Sequence, residues 1–256
     1  MTNAPGPLGL SDDELARLLA LLAGADTVEL KLTIPETGQR AAVQSLDLDA
    51  LDAEIRQVLF FDTPDLRLNQ EGVIVRARRT NQGDDSVVKL RPVVPDELPA
   101  ELRALDGFGV EVDAMPGGFV CSGRLRSKLP RGTVKPVMSG SVPLHKLFTK
   151  AQKTFYAEHA PDGIALDDLV TLGPITVLKL KFAPAGFARR MVVEVWFYPD
   201  GSRIFELSTK CATNEAFQVA AEARVFLASH GIDLGGEQQT KTKAALEFFA
   251  TELRGA

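Results

Sequence analysis

The chain has 256 residues, 45% apolar and 25% charged, with a formal net charge of −5 at pH 7. That balance describes a globular protein able to bury a core, and its acidity excludes wholesale binding of a nucleic-acid polymer, which needs a broad basic surface. Only Cys121 and Cys211 are present, which excludes a disulfide framework and a thiolate metal site. With no signal-like start and no long apolar run, a soluble cytoplasmic protein without a membrane partner is expected.

Residues 1–10 are expected to be disordered, and 11–256 to form one domain. Ser11 and Glu14 make a capping box ahead of Leu15, Leu18, Leu19 and Leu22, predicting a helix over 11–23 that stops at Gly24. Thr27 to Ile34 alternates polar and apolar residues as a strand does. A loop and a short helical run near Leu48 to Ala53 follow, then Ile55 to Thr63 leading into a turn at Pro64. Val73 to Thr80 and Ser86 to Val93 read as a hairpin, and Gly107 to Asp113 and Gly117 to Leu129 as two more strands. The stretch 130–174 breaks this rhythm with Pro, Gly and Ser around a helical piece from Leu144 to His159, and is expected to be an insertion or cover. Strands resume at Ile175 to Ala183, Arg189 to Tyr198 and Ser202 to Thr209, the last two joined by Pro199-Asp200-Gly201. Helices over 214–230 and 241–253 close the chain. About eight strands with helices mainly at the ends predict an α+β fold around an antiparallel sheet or barrel.

Basic residues recur two apart in the strands: Arg76 and Arg78, Lys89 and Arg91, Arg124 with Arg126 and Lys128, Lys179 and Lys181. Side chains alternate across a strand, so each set lies on one face. A single such pair reads as a solvated face. The repetition in an acidic protein points instead to a local field for an anion, and a row of Arg and Lys matches the oxygens of a polyphosphate. Glu29, Glu111, Asp113, Glu194 and Glu206 fall on comparable strands, and carboxylates among phosphate-binding cations suit a hard divalent metal. His145, His159 and His230 lie in helix or loop, leaving no Ser-His-Asp or Cys-His arrangement. Trp196 and Tyr198 share a face with Glu194, where ordinary packing competes with a stacking role.

Glu29-Leu30-Lys31, the run Phe60-Phe61-Asp62-Thr63-Pro64-Asp65-Leu66-Arg67-Leu68, Arg76-Ala77-Arg78 and Lys89-Leu90-Arg91 together resemble the CYTH domain, also called the triphosphate tunnel metalloenzymes, over about residues 26–250. The resemblance implies a closed antiparallel tunnel barrel that takes a small-molecule triphosphate or polyphosphate, with Mg²⁺ or Mn²⁺. The activities it implies are triphosphate hydrolysis or adenylate cyclisation. It implies Lys31, Arg76 and Arg78 as catalytic, and these with Lys89, Arg91, Arg189 or Arg190, and Lys241 or Lys243 as phosphate-binding; the spacing of the basic pairs adds Lys179 and Lys181. Glu29, Glu194 and Glu206 are the implied metal ligands. Arg124, Arg126 and Lys128 stand either in the tunnel or on a solvated edge. Two departures weaken the metal site: Thr27 and Ser208 stand where the family's motifs carry glutamates, and neutral hydroxyls are poor substitutes for carboxylate ligands. A binding module that has lost efficient chemistry is therefore the competing reading.

Overall fold

A computed structural model describes residues 11–235, 238 and 240–255. The expected disordered start, 1–10, lies outside the described residues. The elements run α1 (Asp12–Gly24), β1 (Thr27–Ile34), α2 (Glu36–Ser45), β2 (Glu54–Asp62), α3 (Arg67–Gln70), β3 (Val73–Thr80), β4 (Asp84–Leu90), α4 (Ala100–Arg103), β5 (Phe108–Met115) and β6 (Gly118–Leu129). After them come α5 (Val134–Met138), α6 (Lys150–Ala157), β7 (Val170–Phe182), β8 (Met191–Phe197), β9 (Arg203–Cys211), α7 (Ala216–Ser229) and α8 (Lys241–Gly255).

The strands close into a barrel in the order β1-β5-β6-β4-β3-β2-β7-β8-β9, with β9 returning to β1. Two details correct the expectation. Among the described residues there are nine strands rather than about eight, and the barrel is mixed: β1 and β5 run parallel, Thr27 beside Glu111 and Glu29 beside Asp113. A parallel neighbour cannot be joined by a tight turn, and β1 and β5 are indeed separated by the whole β2-β3-β4 meander. The helix α2 occupies a stretch expected to be loop. Among the described residues, no helix is long and apolar enough to cross a membrane.

Alternation sorts the strand residues into two environments. Outward-facing Val28, Leu32, Val110, Val112, Val193 and Leu207 pack beneath α1, α2 and α7 in one core, joined by Leu18, Leu22, Ala42, Val219 and Phe226. On the other flank, outward-facing Leu59, Val75, Ala77, Val88 and Leu125 are covered by the 130–169 segment through Val134, Leu147, Phe155 and Tyr156. That segment therefore lies on the barrel wall. Its anchor is Gln152, fully buried, whose Nε2 donates to the carbonyls of Ser86 and Leu125, each at 3.1 Å, and whose Oε1 accepts from Ser86 Oγ at 3.1 Å and from the Thr149 amide at 3.0 Å. Gln152→Ala would strand several buried polar groups at about 1–3 kcal/mol each. The expected result is a loss of about 2–4 kcal/mol in urea unfolding, and an unchanged midpoint would refute the anchoring role.

A third cluster lies on the inward face. Phe60, Ile74, Ile175, Trp196, Tyr198 and Ile204 pack with Ala245, Leu246 and Phe249 of α8, so part of the lumen is filled with apolar side chains. Its charged part starts where this plug stops.

The block Asp62-Thr63-Pro64-Asp65 builds a turn. The Asp62 carboxylate accepts from the amides of Thr63 (2.7 Å), Leu68 (2.9 Å) and Asn69 (3.0 Å), satisfying the otherwise unpaired donors at the start of α3. Gly72, at φ 72°, then lets the chain pass so close to Arg91 that a Cβ would lie 2.5 Å from its carbonyl oxygen. Together they start β3 in the register that turns Arg76 and Arg78 inward.

Candidate functional site

The charged part of the lumen is a cavity of about 390 Å³ lined, among the described residues, by twelve basic side chains and five carboxylates. Their positions follow from strand parity. β3 supplies Arg76 and Arg78, β4 Lys89 with Arg91 just beyond it, β6 Arg124 and Arg126, β7 Lys179 and Lys181, and β1 Lys31, while Lys241 enters from α8. Arg56 of β2 and Lys210 of β9, neither singled out in the sequence, complete the cations. The five acids are Glu29, Glu111, Asp113, Glu194 and Glu206.

Three expected phosphate ligands are elsewhere. Arg189 lies just before β8 and pairs with Glu215 (2.8 Å) and Glu222 (3.8 Å) on the outside of the barrel. Arg190 is exposed and does not line the cavity, and Lys243 is exposed and pairs with Glu247 along α8. Loop and helix positions have no strand parity to turn them inward. Lys128 is likewise exposed and off the cavity wall, whereas Arg124 and Arg126 are on it, which settles the alternative left open for that strand.

The acids divide into two groups. Glu29, Glu111 and Asp113 bring one carboxylate oxygen each within 4.8 Å of one another, because the parallel β1–β5 pairing sets Glu29 beside Asp113. Asp113 receives Lys31 at 2.8 Å, Arg91 at 3.4 Å and Lys89 at 3.7 Å. Burial works against its charge, but these cations outweigh it and hold the carboxyl well below the usual range. Burial also opposes the charge on Lys31, and Asp113, Glu29 and Glu206 outweigh it, keeping the ammonium firmly protonated. Glu194 and Glu206, register partners on β8 and β9, are both bound by Lys241, the latter at 2.6 Å; Lys179 adds a bond to Glu194 at 2.6 Å. Of the expected metal set, Glu29 clusters with Glu111 and Asp113, whereas Glu194 and Glu206 lie together across β8 and β9 and share Lys241; lysines pair with acids of both groups.

Trp196 donates from Nε1 to Glu194 at 3.2 Å, and the Lys241 ammonium lies 5.4 Å from its ring centre. With only 4% of its surface exposed, it packs rather than offering a free face. Thr27 Oγ1 donates to Glu111 at 3.4 Å and Ser208 Oγ to Glu29 at 3.1 Å, so both hydroxyls serve the carboxylates from within.

The opposite wall is unbalanced. Asp85 neutralises Arg78 (2.8 Å) and Arg126 (2.9 Å). Among the described residues Arg76 and Arg124 have no such ion pair, and the Nε of each is buried without a hydrogen bond. Burial, followed by the neighbouring Arg78, lowers Arg76 to about 10, and burial brings Lys89 down to about 8 despite Asp113. Desolvated, mutually repelling cations of this kind call for an anion.

No protein-family model matches the sequence, and no curated protein matches it. Solved structures do. A candidate adenylyl cyclase from Hippeastrum, reported with a dominant triphosphatase activity, is 16% identical and superposes with a TM-score of 0.64 over 87% of this chain and 96% of its own. A candidate adenylate cyclase from Bacillus halodurans is 12% identical, with a TM-score of 0.60 over 86% of this chain and 97% of its own. At these identities the likeness is one of fold, and the tunnel-barrel fold implied by the sequence resemblance is present.

Proposed function

We infer that the chain binds the triphosphate part of inorganic polyphosphate or a small organic triphosphate in the barrel lumen and hydrolyses its terminal phosphoryl group with a divalent metal. The observation that carries this reading is the buried Nε of Arg76 and of Arg124, each without a hydrogen bond, in a lumen where, among the described residues, cations outnumber acids more than two to one. Phosphate oxygens would satisfy both with charge-assisted bonds.

The donor set fits a hard cation, since three carboxylates converge within 4.8 Å. Glu29, Glu111 and Asp113 would hold it, and Mg²⁺ or Mn²⁺ bound there would neutralise phosphate charge and activate water. The chain's own groups do the rest. Arg76, Arg78 and Arg124 fix the phosphate row and take up charge developing on the transferred group, worth most in a site partly shielded from water. Asp85 keeps the Arg78 and Arg126 forks oriented. Lys31, Lys89 and Arg91 hold Asp113 ionised. No side chain in the lumen needs to act as nucleophile.

A silent binding module is the second reading, favoured by Thr27 and Ser208 in place of carboxylates. The cyclase reading finds less support, because Trp196 is already bonded and covered. Purified protein incubated with tripolyphosphate, ATP and thiamine triphosphate plus Mg²⁺ or Mn²⁺ is expected to release phosphate without forming cyclic AMP. Calorimetric binding of tripolyphosphate with no product would refute hydrolysis and leave the binder.

A further inference from the structure

Lys210 is the last lumen-facing residue of β9, two positions beyond Ser208 and four beyond Glu206. Its ammonium pairs with Glu111 and stands 3.7 Å from Glu29, joining two of the three carboxylates that converge. Each of these two acids also accepts a hydroxyl from a neighbouring strand, Glu29 from Ser208 and Glu111 from Thr27. The chain therefore neutralises and hydrogen-bonds its own carboxylate cluster. The two lysines that share this work differ in kind. Lys31 has 16% of its side chain exposed and is gripped by Asp113 as well as Glu29, whereas Lys210 has 49% exposed and has water to move into.

We propose that Lys210 is a tethered cation that holds a divalent metal's place between Glu29 and Glu111 and keeps the empty lumen from taking up free metal. The proposal rests on the assignment of the metal to Glu29, Glu111 and Asp113. A metal ion entering that cluster must displace the Lys210 ammonium from both acids, because two cations at one carboxylate pair repel each other. An incoming polyphosphate supplies the alternative partner: it offers Lys210 phosphate oxygens at the cavity wall and frees the acids as it arrives. Metal and anion then bind cooperatively, since each removes a cost from the other's binding. The arrangement also gives Thr27 and Ser208 a purpose, because two added glutamates would bring the cluster to five acids against the four cations that pair with it, Lys31, Lys89, Arg91 and Lys210.

The test is a titration of Mn²⁺ into the full chain without any anion, read by calorimetry and by the electron paramagnetic resonance signal of free Mn²⁺. Lys210→Met should bind Mn²⁺ at least about tenfold more tightly than the wild type, since one unit charge about 4 Å from a divalent ion is worth more than a decade in affinity even at the dielectric of bulk water. Lys210→Arg should stay near the wild-type affinity. A damaged fold cannot mimic a gain in affinity, which keeps the result interpretable. Unchanged or weaker binding by Lys210→Met, where Glu111→Gln weakens binding, would overturn the role of Lys210 and leave the metal site standing. If neither the wild type nor Lys210→Met binds Mn²⁺, or if Glu111→Gln has no effect, the metal assignment falls and this proposal with it.

Discussion

Arg76→Met is expected to weaken tripolyphosphate binding by at least about 100-fold while raising the thermal stability of the empty barrel. The two signs have one cause. In the folded chain Arg76 has its Nε buried and unbonded, Arg78 is a like-charged neighbour on the same strand face, and its guanidinium is brought down to about 10 by burial first and that neighbour second. Without a ligand, this charge works against folding. Methionine keeps the length of the stem and its packing while removing the desolvated charge, and replacing buried charge by an apolar side chain of similar volume is often neutral or stabilising. Bound phosphate reverses the balance, because a charge-assisted bond to a desolvated guanidinium is among the strongest polar contacts available, and truncating one partner of such a pair costs about 2–5 kcal/mol. Differential scanning fluorimetry of the free protein and calorimetry with tripolyphosphate measure the two effects. A lower melting temperature in the variant would mean that Arg76 has a structural partner. Unchanged affinity would mean that the anion does not reach the wall where Arg76 and Arg124 lie.

How far the sequence predicts this arrangement can be judged residue by residue. Arg76 and Arg78, Lys89 and Arg91, Arg124 and Arg126, Lys179 and Lys181 all reach the lumen, because the side of a strand a residue occupies is decided locally, by parity against its apolar neighbours. The same rule would have added Lys210, which alternates with Glu206 and Ser208. Arg189, Arg190 and Lys243 lie off the cavity wall, while Lys241 of the Lys241-or-Lys243 alternative lines it; all four stand beside strands or on a helix, where parity carries no information. The acids required more than parity. Glu29 meets Asp113 only because β1 and β5 lie parallel, and Glu194 meets Lys241 only because α8 returns to the lumen. Both are facts of strand order and chain return that no local pattern encodes. The helix α2 was hidden by its own composition: it starts directly after Pro35, contains Gly38 and buries only Gln39 and Ala42, so its periodicity is faint. The Asp62-Thr63-Pro64-Asp65 block carries part of the resemblance, yet its Asp62 carboxylate is spent on backbone amides of a turn. Its contribution to the site is to set the register of β3.

The second large effect falls on stability. Lys241→Met should cost about 3–5 kcal/mol in urea unfolding, the usual result of removing one partner from a buried ion pair. Glu194 and Glu206 face each other across β8 and β9, and among the described residues the only ion pair of Glu206 is with Lys241. Burial opposes the charge of Lys241, but Glu194 and Glu206 outweigh it and raise its ammonium above the usual lysine range. Take the lysine away, and Glu206 keeps only the more distant field of Lys31, a carboxylate with 4% of its side chain exposed and without an ion pair among the described residues, opposite a second carboxylate. Glu194 suffers less, since Lys179 and the Trp196 indole still hold it. The asymmetry makes a sharper prediction than the single variant does. Adding Glu206→Gln to Lys241→Met should recover about half of the lost stability, because it removes the stranded charge, whereas Glu194→Gln added to Lys241→Met should recover less. Recovery by both to the same extent would show that the two acids share the lysine equally. No loss in Lys241→Met itself would mean that α8 is held in the lumen by Ala245, Leu246 and Phe249 alone. If the predicted loss is found, the charged end of α8 is part of what closes the barrel, and the apolar plug and the ionic lumen fold as one unit.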